Sequence, residues 1–334
     1  MNAEPKVTIC ILTYNRARFL PDLLDSIADQ HYDNVEIILS DDASSDDTPI
    51  VAAAYAARIP NLRYVRHETN IGLDRHFFAA VEAATGEYAW LMGDDDRIQK
   101  GGVARVLEAL SRWPRVGGLT LGVTDYDQTL SYPTGVQRSP PTQLLTGAGE
   151  TFTKLADVMG FMSAMVVRRD TWLSVARDPA VAKYHNLYAQ VYMMGRVAAE
   201  AGTWGVVAET CVDFRKNNDQ FLAALAWRRR LDVDVIGYEE VAEGVLGEDL
   251  AARKAMRRLI FNTHIMARLR GSKDQPDADR EAWRTAKFLY KHYADVPEFW
   301  SKGLPCVLVP SSVFKAVRSV YRNTSKRRSK IVAP

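Results

Sequence analysis

The stretch Val7-Thr8-Ile9-Cys10-Ile11-Leu12-Thr13-Tyr14-Asn15-Arg16 decides how this chain is read. Its apolar, β-branched start reads as a buried strand, and a polar cluster follows at once. The arrangement recurs three times. Val35–Leu39 leads into Ser40-Asp41-Asp42-Ala43-Ser44-Ser45-Asp46-Asp47. Leu62–Arg66 leads into Glu68-Thr69-Asn70-Ile71-Gly72, and Tyr88–Met92 into Gly93-Asp94-Asp95-Asp96. Helical patterns fill the intervals, from about Ala17 to Gln30, through Ala57, near Asp74–Ala84 and from about Gly101 to Arg112. Strands alternating with helices predict βαβ units and a mostly parallel sheet. Asn15, Asp42, Asn70 and Asp94 are 27, 28 and 24 residues apart, about one βα unit each. Ligands of open α/β sheets bind outside the carboxyl ends of the strands, so the four clusters are expected on one rim.

The rest of the chain bounds the possibilities. Its 334 residues suit two domains, or one large domain with an extension. Apolar residues make up 47% and charged residues 25%, ordinary values for a globular protein. The net charge of +2 hides a split. Phe299–Pro334 carries eight basic and no acidic residues, which leaves a net −6 on the first 298. An acidic body with a basic tail does not predict a nucleic-acid binder. It predicts a tail that meets something anionic. Cys10, Cys211 and Cys306 are scattered, which argues against a disulfide framework or a zinc site and for a reducing compartment. No segment reaches the ~18 apolar residues of a spanning helix, and Val7–Leu12 is too short for a signal-peptide core. A cytoplasmic protein is expected.

Beyond residue 112 the pattern loosens. Val116–Asp127, Phe161–Arg168 and Val206–Arg215 read as strands, and the Pro/Thr/Gly-rich Tyr132–Gly149 reads as a long surface loop. Phe221 to about Tyr293 is helical and charged, with a break at Gly271–Asp277.

Three adjacent carboxylates, Asp94 to Asp96, repel one another unless a cation or hydrogen-bond donors relieve them. Mg²⁺ or Mn²⁺ suits one or two carboxylates plus the oxygens of a diphosphate. A solvated acidic turn, or acids favoured at a helix N-terminus, is the plainer alternative. Asp42 could accept from a nucleobase N–H, while Ser44, Ser45 and Asp46 are ordinary helix-capping types. Thr13, Tyr14 and Asn15 supply a hydroxyl, a ring and an amide, and Arg16 or Arg18 could face phosphate or simply open a helix. Asn70 beside Gly72 suits close approach of backbone to a ligand, or a plain turn. No GxGxxG follows the first strand and no GxxxxGK[ST] occurs, which disfavours dinucleotide redox and P-loop chemistry.

Together these motifs resemble family-2 glycosyltransferases of the GT-A fold. The form Trp90-Leu91-Met92-Gly93-Asp94-Asp95-Asp96 is most similar to the abequosyltransferase-like branch, which builds bacterial surface polysaccharides. The resemblance is specific over residues 6–112, thinner to about 220 and weak beyond. It implies an α/β fold, Rossmann-like, with a mostly parallel sheet flanked by helices and a helical C-terminal extension. The expected domains are a catalytic domain over 1–220, a helical extension over 221–300 and a basic amphipathic tail over 301–334. Thr13, Tyr14, Asn15 and Asp42 match the base contacts, Asn70 and Gly72 the nucleoside loop, and the triplet the DxD metal motif. Asp94 is then expected near the ribose and Asp95 or Asp96 on Mg²⁺ or Mn²⁺, which would neutralise the departing nucleoside diphosphate.

An inverting transfer needs a general base for the acceptor hydroxyl. Many relatives carry a Glu-Asp pair ahead of an apolar helix. Here Gln190 occupies the aspartate position and cannot act as a base. His185 is the nearest imidazole, and Asp213 and Asp219 are other candidates. A basic residue that meets the diphosphate in relatives matches Arg215, with Asn217 as an acceptor contact.

In the tail, Val313, Phe314, Val317, Val320 and Tyr321 recur at helical spacing, with Lys315, Arg318 and Arg322 off that face and Lys326-Arg327-Arg328-Ser329-Lys330 following. A basic amphipathic helix reads as a membrane-surface element, or as a helix packed on the body. The expected partners are a nucleotide-diphosphate sugar, a lipid-linked glycan acceptor and an anionic membrane, on its cytoplasmic side. Two other functions stay open. A nucleotidyltransferase would also use clustered carboxylates, and a nucleotide-sugar or glycan-binding protein without turnover would explain Gln190.

Overall fold

The computed structural model describes residues 4–32, 34–137, 139–185, 187–218 and 226–320. The chain divides into two compact units, Met1–Gln220 with Glu240–Met256, and Phe221–Glu239 with Arg257–Pro334.

The first unit opens with β1 (Val7–Thr13), α1 (Leu20–Ala28), β2 (Val35–Asp41), α2 (Thr48–Ala56), β3 (Leu62–Arg66), α3 (Leu73–Ala83) and β4 (Tyr88–Gly93). There follow β5 (Arg97–Ile98), α4 (Gly102–Arg112), β6 (Gly118–Tyr126), β7 (Pro133–Val136), β8 (Gln143–Thr146) and α5 (Gly147–Leu155). β9 (Met165–Arg168), α6 (Arg169–Ala176), α7 (Ala189–Ala201) and β10 (Thr203–Arg215) complete the core.

One sheet runs β3-β2-β1-β4-β9-β6-β10-β5, with β7 on β6 and β8 on β10. β3, β2, β1 and β4 pair in parallel. β9 is antiparallel to both β4 and β6, which turns β6 and its parallel neighbour β10 back to the direction of β1. Six strands therefore end on one rim, and the expected α/β fold with a mostly parallel sheet is the one observed. β1 and β4 are buried along their whole length, as strands covered on both faces must be. Their continuous apolar runs follow from that. α1 buries Leu20, Leu23, Leu24 and Ile27, and α4 buries Val103, Val106, Leu107 and Leu110, the stripe that 3.6-residue periodicity selects.

The middle departs from expectation in three places. Tyr132–Gly149 is not a plain loop, because β7 and β8 hydrogen-bond to β6 and β10. Both are short edge strands, where Pro and Gly are tolerated and propensity is a poor guide. Phe161–Arg168 is strand from Met165, after a 3₁₀ turn at Met162–Ala164. A two-residue strand, β5, separates the acidic triplet from its helix and pairs with β10.

The helical region continues with α8 (Trp227–Leu246) and α9 (Leu250–Ile260), then a π-helical turn at Phe261–Ile265 and α10 (Met266–Ser272). α11 (Ala282–Tyr293), a second π-helical turn at Phe299–Gly303 and α12 (Leu304–Leu308) follow, and residues 311–320 are helical. In the second unit Lys273, 2% exposed, donates to the carbonyls of Val307 (2.9 Å) and Val309 (2.7 Å). Among the described residues no helix is long and apolar enough to cross a membrane. Tyr321, Arg322 and Lys326 to Lys330 lie outside the described residues.

Candidate functional site

The rim at the carboxyl ends of β1, β2 and β4 is built by side chains that cross between loops. Where β1 ends, Thr13 donates its hydroxyl to Asp94 Oδ2 at 2.7 Å. Asn15 takes a left-handed backbone, φ 54°, which asparagine tolerates better than most residues. That turn lets its N–H reach Ser44 Oγ (2.8 Å) and its Oδ1 accept from the Ser45 N–H (2.7 Å). The loops after β1 and β2 are thereby locked together. Asp46 joins them again, accepting from the N–H groups of Ala17 (3.0 Å) and Thr48 (3.1 Å). Tyr14 stands out from this lattice and is exposed.

Asp42 is buried, and its two oxygens accept from the backbone N–H groups of Ile71 (2.7 Å) and Gly72 (3.1 Å). Asn70 Oδ1 accepts from the same Gly72 N–H at 3.1 Å. Gly72 has φ +81°, a conformation that favours glycine. Asp42 thus shapes the loop between β3 and α3. Beneath it Ser40 Oγ lies 2.8 Å from His76 Nε2, and the His67 ring stands edge-on to His76 at 5.4 Å.

The acidic triplet is wired from four directions. Arg16 Nε lies 2.8 Å from Asp94 Oδ1, and its Nη2 lies 2.5 Å from Asp95 Oδ2. Asn218 Nδ2 donates to Asp95 Oδ2 at 2.6 Å. Ser163 donates its hydroxyl to Asp96 Oδ2 while accepting from the Gly93 N–H, and the Arg215 N–H reaches Asp96 Oδ1 at 3.2 Å. Burial pushes the Asp94 carboxyl up to about 7, against the pull of Arg16. Burial, with Asp95 beside it, also drives the Asp96 carboxyl well up. One guanidinium is too little for three clustered carboxylates.

All these acidic donors are carboxylate oxygens, hard ligands that suit Mg²⁺ or Mn²⁺. Among the described residues no three carboxylate, imidazole or thiolate groups converge as a preformed cage. The residues fit an ion held by one or two carboxylates, with its remaining positions left to oxygens from elsewhere.

Arg215 closes β10, as its sequence position suggested, but its side chain is already engaged. It is 4% exposed, and Nε, Nη1 and Nη2 donate to the Asp95 carbonyl (2.8 Å), the Gln128 carbonyl (2.9 Å) and Asp22 Oδ2 (2.6 Å). Its guanidinium holds the turn of the triplet. Arg16 is the cation at the carboxylates. Asp213 is likewise tied down, with Oδ2 accepting from Arg97 Nε (3.0 Å) and Nη2 (2.9 Å) across the β10–β5 ladder. Asp219 lies outside the described residues. Asn217 is exposed, with φ 59°, and its neighbour Asn218 is the amide that meets the triplet.

Around the entrance to α7, His185 is exposed, with its ring 5.5 Å from Phe78. Gln190 is buried, and among the described residues its Oε1 has no partner. Asp74, in the first turn of α3, accepts from the Leu187 N–H at 3.2 Å, and among the described residues its Oδ1 is buried without a hydrogen-bond partner. Burial raises the Asp74 carboxyl, and the nearby His185 opposes the shift. Sequence reasoning passed over Asp74, Ser163 and Asn218. For Asn218 the signal was its place at the end of β10, while nothing in the local sequence marked the other two.

Residues 8–169 match the profile of the family described as Glycosyl transferase family 2. This segment belongs to that family. The glycosyltransferase segment holds the site residues described above except Asp213, Arg215, Asn217, Asn218 and those at the α7 entrance. The abequosyltransferase RfbV of Salmonella typhimurium is 26% identical over 275 residues, 76% of this chain and 80% of its own length. A Campylobacter jejuni enzyme named GalNAc(5)-diNAcBac-PP-undecaprenol beta-1,3-glucosyltransferase is 29% identical over 105 residues, 31% of this chain and 34% of that one. Among solved structures, S. aureus TarS 1-349 in complex with UDP-GlcNAc superposes with a TM-score of 0.65 at 17% identity, covering 96% of this chain and 92% of that one. The glycosyltransferase fold is GT-A.

Proposed function

We propose that this chain is an inverting, metal-dependent glycosyltransferase. It moves a sugar from a nucleotide-diphosphate sugar to a hydroxyl of a lipid-linked glycan in cell-surface polysaccharide synthesis. The observation that carries the reading is the acidic triplet joined by hydrogen bonds to the ends of β1 and β10, on the rim where Asp42 shapes the Asn70–Gly72 loop. The abequosyltransferase likeness over three quarters of the chain supports it. So does the fold shared with a mannosyltransferase from Pyrobaculum calidifontis in complex with GDP-Man and Mn²⁺, at TM-score 0.54 and 18% identity over 93% of this chain and 87% of that one.

Thr13, Tyr14, Asn15 and Asp42 would face the base and Asn70 and Gly72 the nucleoside, with Asp94 toward the ribose. A divalent ion on Asp95 and Asp96 would supply charge neutralisation at the leaving diphosphate. Arg16, already against the carboxylates, would turn toward the phosphates as that ion takes its place. His185 is the candidate base for the acceptor proton, and Asp74 orders the loop that carries it. The body over 1–220 would work on the cytoplasmic side, residues 221–300 would form a helical extension, and the basic tail over 301–334 would meet anionic lipid.

The test is thermal denaturation with UDP, GDP, CDP and dTDP, each with and without Mn²⁺. One diphosphate should raise Tm in the presence of metal and not in chelator, and Asp95→Ala and Asp96→Ala should abolish the gain. A wild-type gain indifferent to chelator would overturn metal dependence. Gln190 supports a second reading, a binding protein without turnover. Sugar release from a donor panel with cell-envelope lipid extract would exclude it.

A further inference from the structure

We infer that the second unit carries a membrane-interface face, built by α11 and the π-turn after it, that seats on an anionic lipid bilayer. This deepens the reading of the chain as a membrane-surface enzyme and rests on it, but it places the contact on residues other than the basic tail.

Trp283, Lys287 and Tyr290 recur at i, i+4 and i+7, so they share one stripe of α11. The opposite stripe buries Thr285, Ala286, Leu289 and Tyr293. Trp283 is 74% exposed, Tyr290 56% and Trp300 49%. The π-turn brings Trp300 against Tyr290, edge-on with ring centroids 5.8 Å apart, and its indole N–H donates to the Ala294 carbonyl at 2.8 Å. Gly303 makes that turn possible, because a Cβ there would stand 2.6 Å from the Phe261 ring. π-turns of this kind are rare inside helices and occur mostly at functional places.

The surface is aromatic and cationic together. Arg284, Lys287 and Lys291 are exposed beside the rings. Trp and Tyr, apolar in body and polar at one edge, concentrate where headgroups meet acyl chains. Charge identifies the occupant. Even without residues 321–334 the second unit has 15 basic and 9 acidic residues, net +6, while the first carries net −9. The helix over 311–320 turns Val313 (51% exposed) and Val317 (66%) outward, a second apolar stripe in the same unit. Exposed aromatics set among cations in a strongly basic unit match an anionic bilayer rather than a neutral apolar partner.

The full chain is sedimented with vesicles of phosphatidylcholine, alone or mixed with phosphatidylglycerol, at low salt. Wild type should bind the mixed vesicles. Lys287→Glu with Lys291→Glu should weaken binding by roughly fivefold or more per lost cation. Trp283→Ser with Trp300→Ser should lose binding in the same assay at unchanged Tm. If that pair lowers Tm, the charge-reversal pair, which is fully solvent-facing, decides. A chain truncated after Val320 should keep measurable binding. Binding lost on truncation and unchanged in both face variants would overturn the face while leaving the tail reading intact. Absence of wild-type binding would overturn both. Self-association abolished by the tryptophan pair, without vesicle binding, would make a second copy the occupant and overturn the inference.

Discussion

His76 makes the first unit sensitive to acid. Its ring is 3% exposed and lies 2.8 Å from Ser40 Oγ. Burial lowers its pKa from 6.5 to about 4, and His67 adds to the shift, while Asp42, Asp41 and the Ser40 contact oppose it. In the unfolded chain the same imidazole titrates near its ordinary value. Between those two values the unfolded chain binds a proton that the folded one refuses, so stability falls as pH falls. It is fully present above about 6.5. At ~1.36 kcal/mol per pH unit, the loss approaches about 3 kcal/mol by pH 4. For a unit of this size that is roughly 6–12 °C of Tm. His76→Gln keeps a polar partner for Ser40 and removes the titration. Melting curves of wild type and His76→Gln, taken from neutral pH down into the acid range, isolate the term from every other titrating group. The wild-type advantage should shrink by several degrees as pH falls. A Tm difference constant across the range would refute the reasoning.

Three further outcomes are expected. Arg16→Met, which strips the cation from Asp94 and Asp95, should destabilise the fold by about 1–3 kcal/mol in chelator, and Mn²⁺ should restore most of it in melting curves. Arg215→Ala, which leaves the Asp95 and Gln128 carbonyls without donors, should cost about 3 kcal/mol or more in urea unfolding without ligand, and Arg215→Lys should not rescue it. An effect confined to KM would contradict that assignment. Lys273→Met should cost about 1–3 kcal/mol and raise hydrogen exchange around 304–309, because two carbonyls lose their ammonium donor.

The sheet was legible where strands are buried on both faces, since β1 and β4 then show as largely apolar runs and β2 as one broken only by Glu36 before its polar end. The edge strands β7 and β8 were not, because one partner and an open flank impose no pattern on their side chains. In the site, residues next to strand ends could be found from spacing. Their partners could not. Ser163 and Asn218 reach the triplet from 67 and 123 residues away, a proximity no local pattern encodes. The acceptors of Arg215 were hidden for a related reason. Position placed it correctly at the end of β10, but which acceptors its guanidinium finds depends on Asp22 and Gln128, brought together by folding. Asp42 shows the same limit, since spacing put it on the rim but could not tell that its oxygens are taken up by the Ile71 and Gly72 N–H groups.

The links from Ser163 and Asn218 to the triplet also determine how the chain can be cut and spliced. A chimera whose junction falls between Asp96 and Asn218 would pair the carboxylates with another protein's donors, and the acidic turn would lose the hydrogen bonds that set its shape. The excursion from β7 to β8 behaves oppositely. It leaves the sheet on β6, returns on β10, and is pinned at both ends by antiparallel ladders. Exchanging it whole, as a cassette, keeps both Ser163 and Asn218 with the triplet.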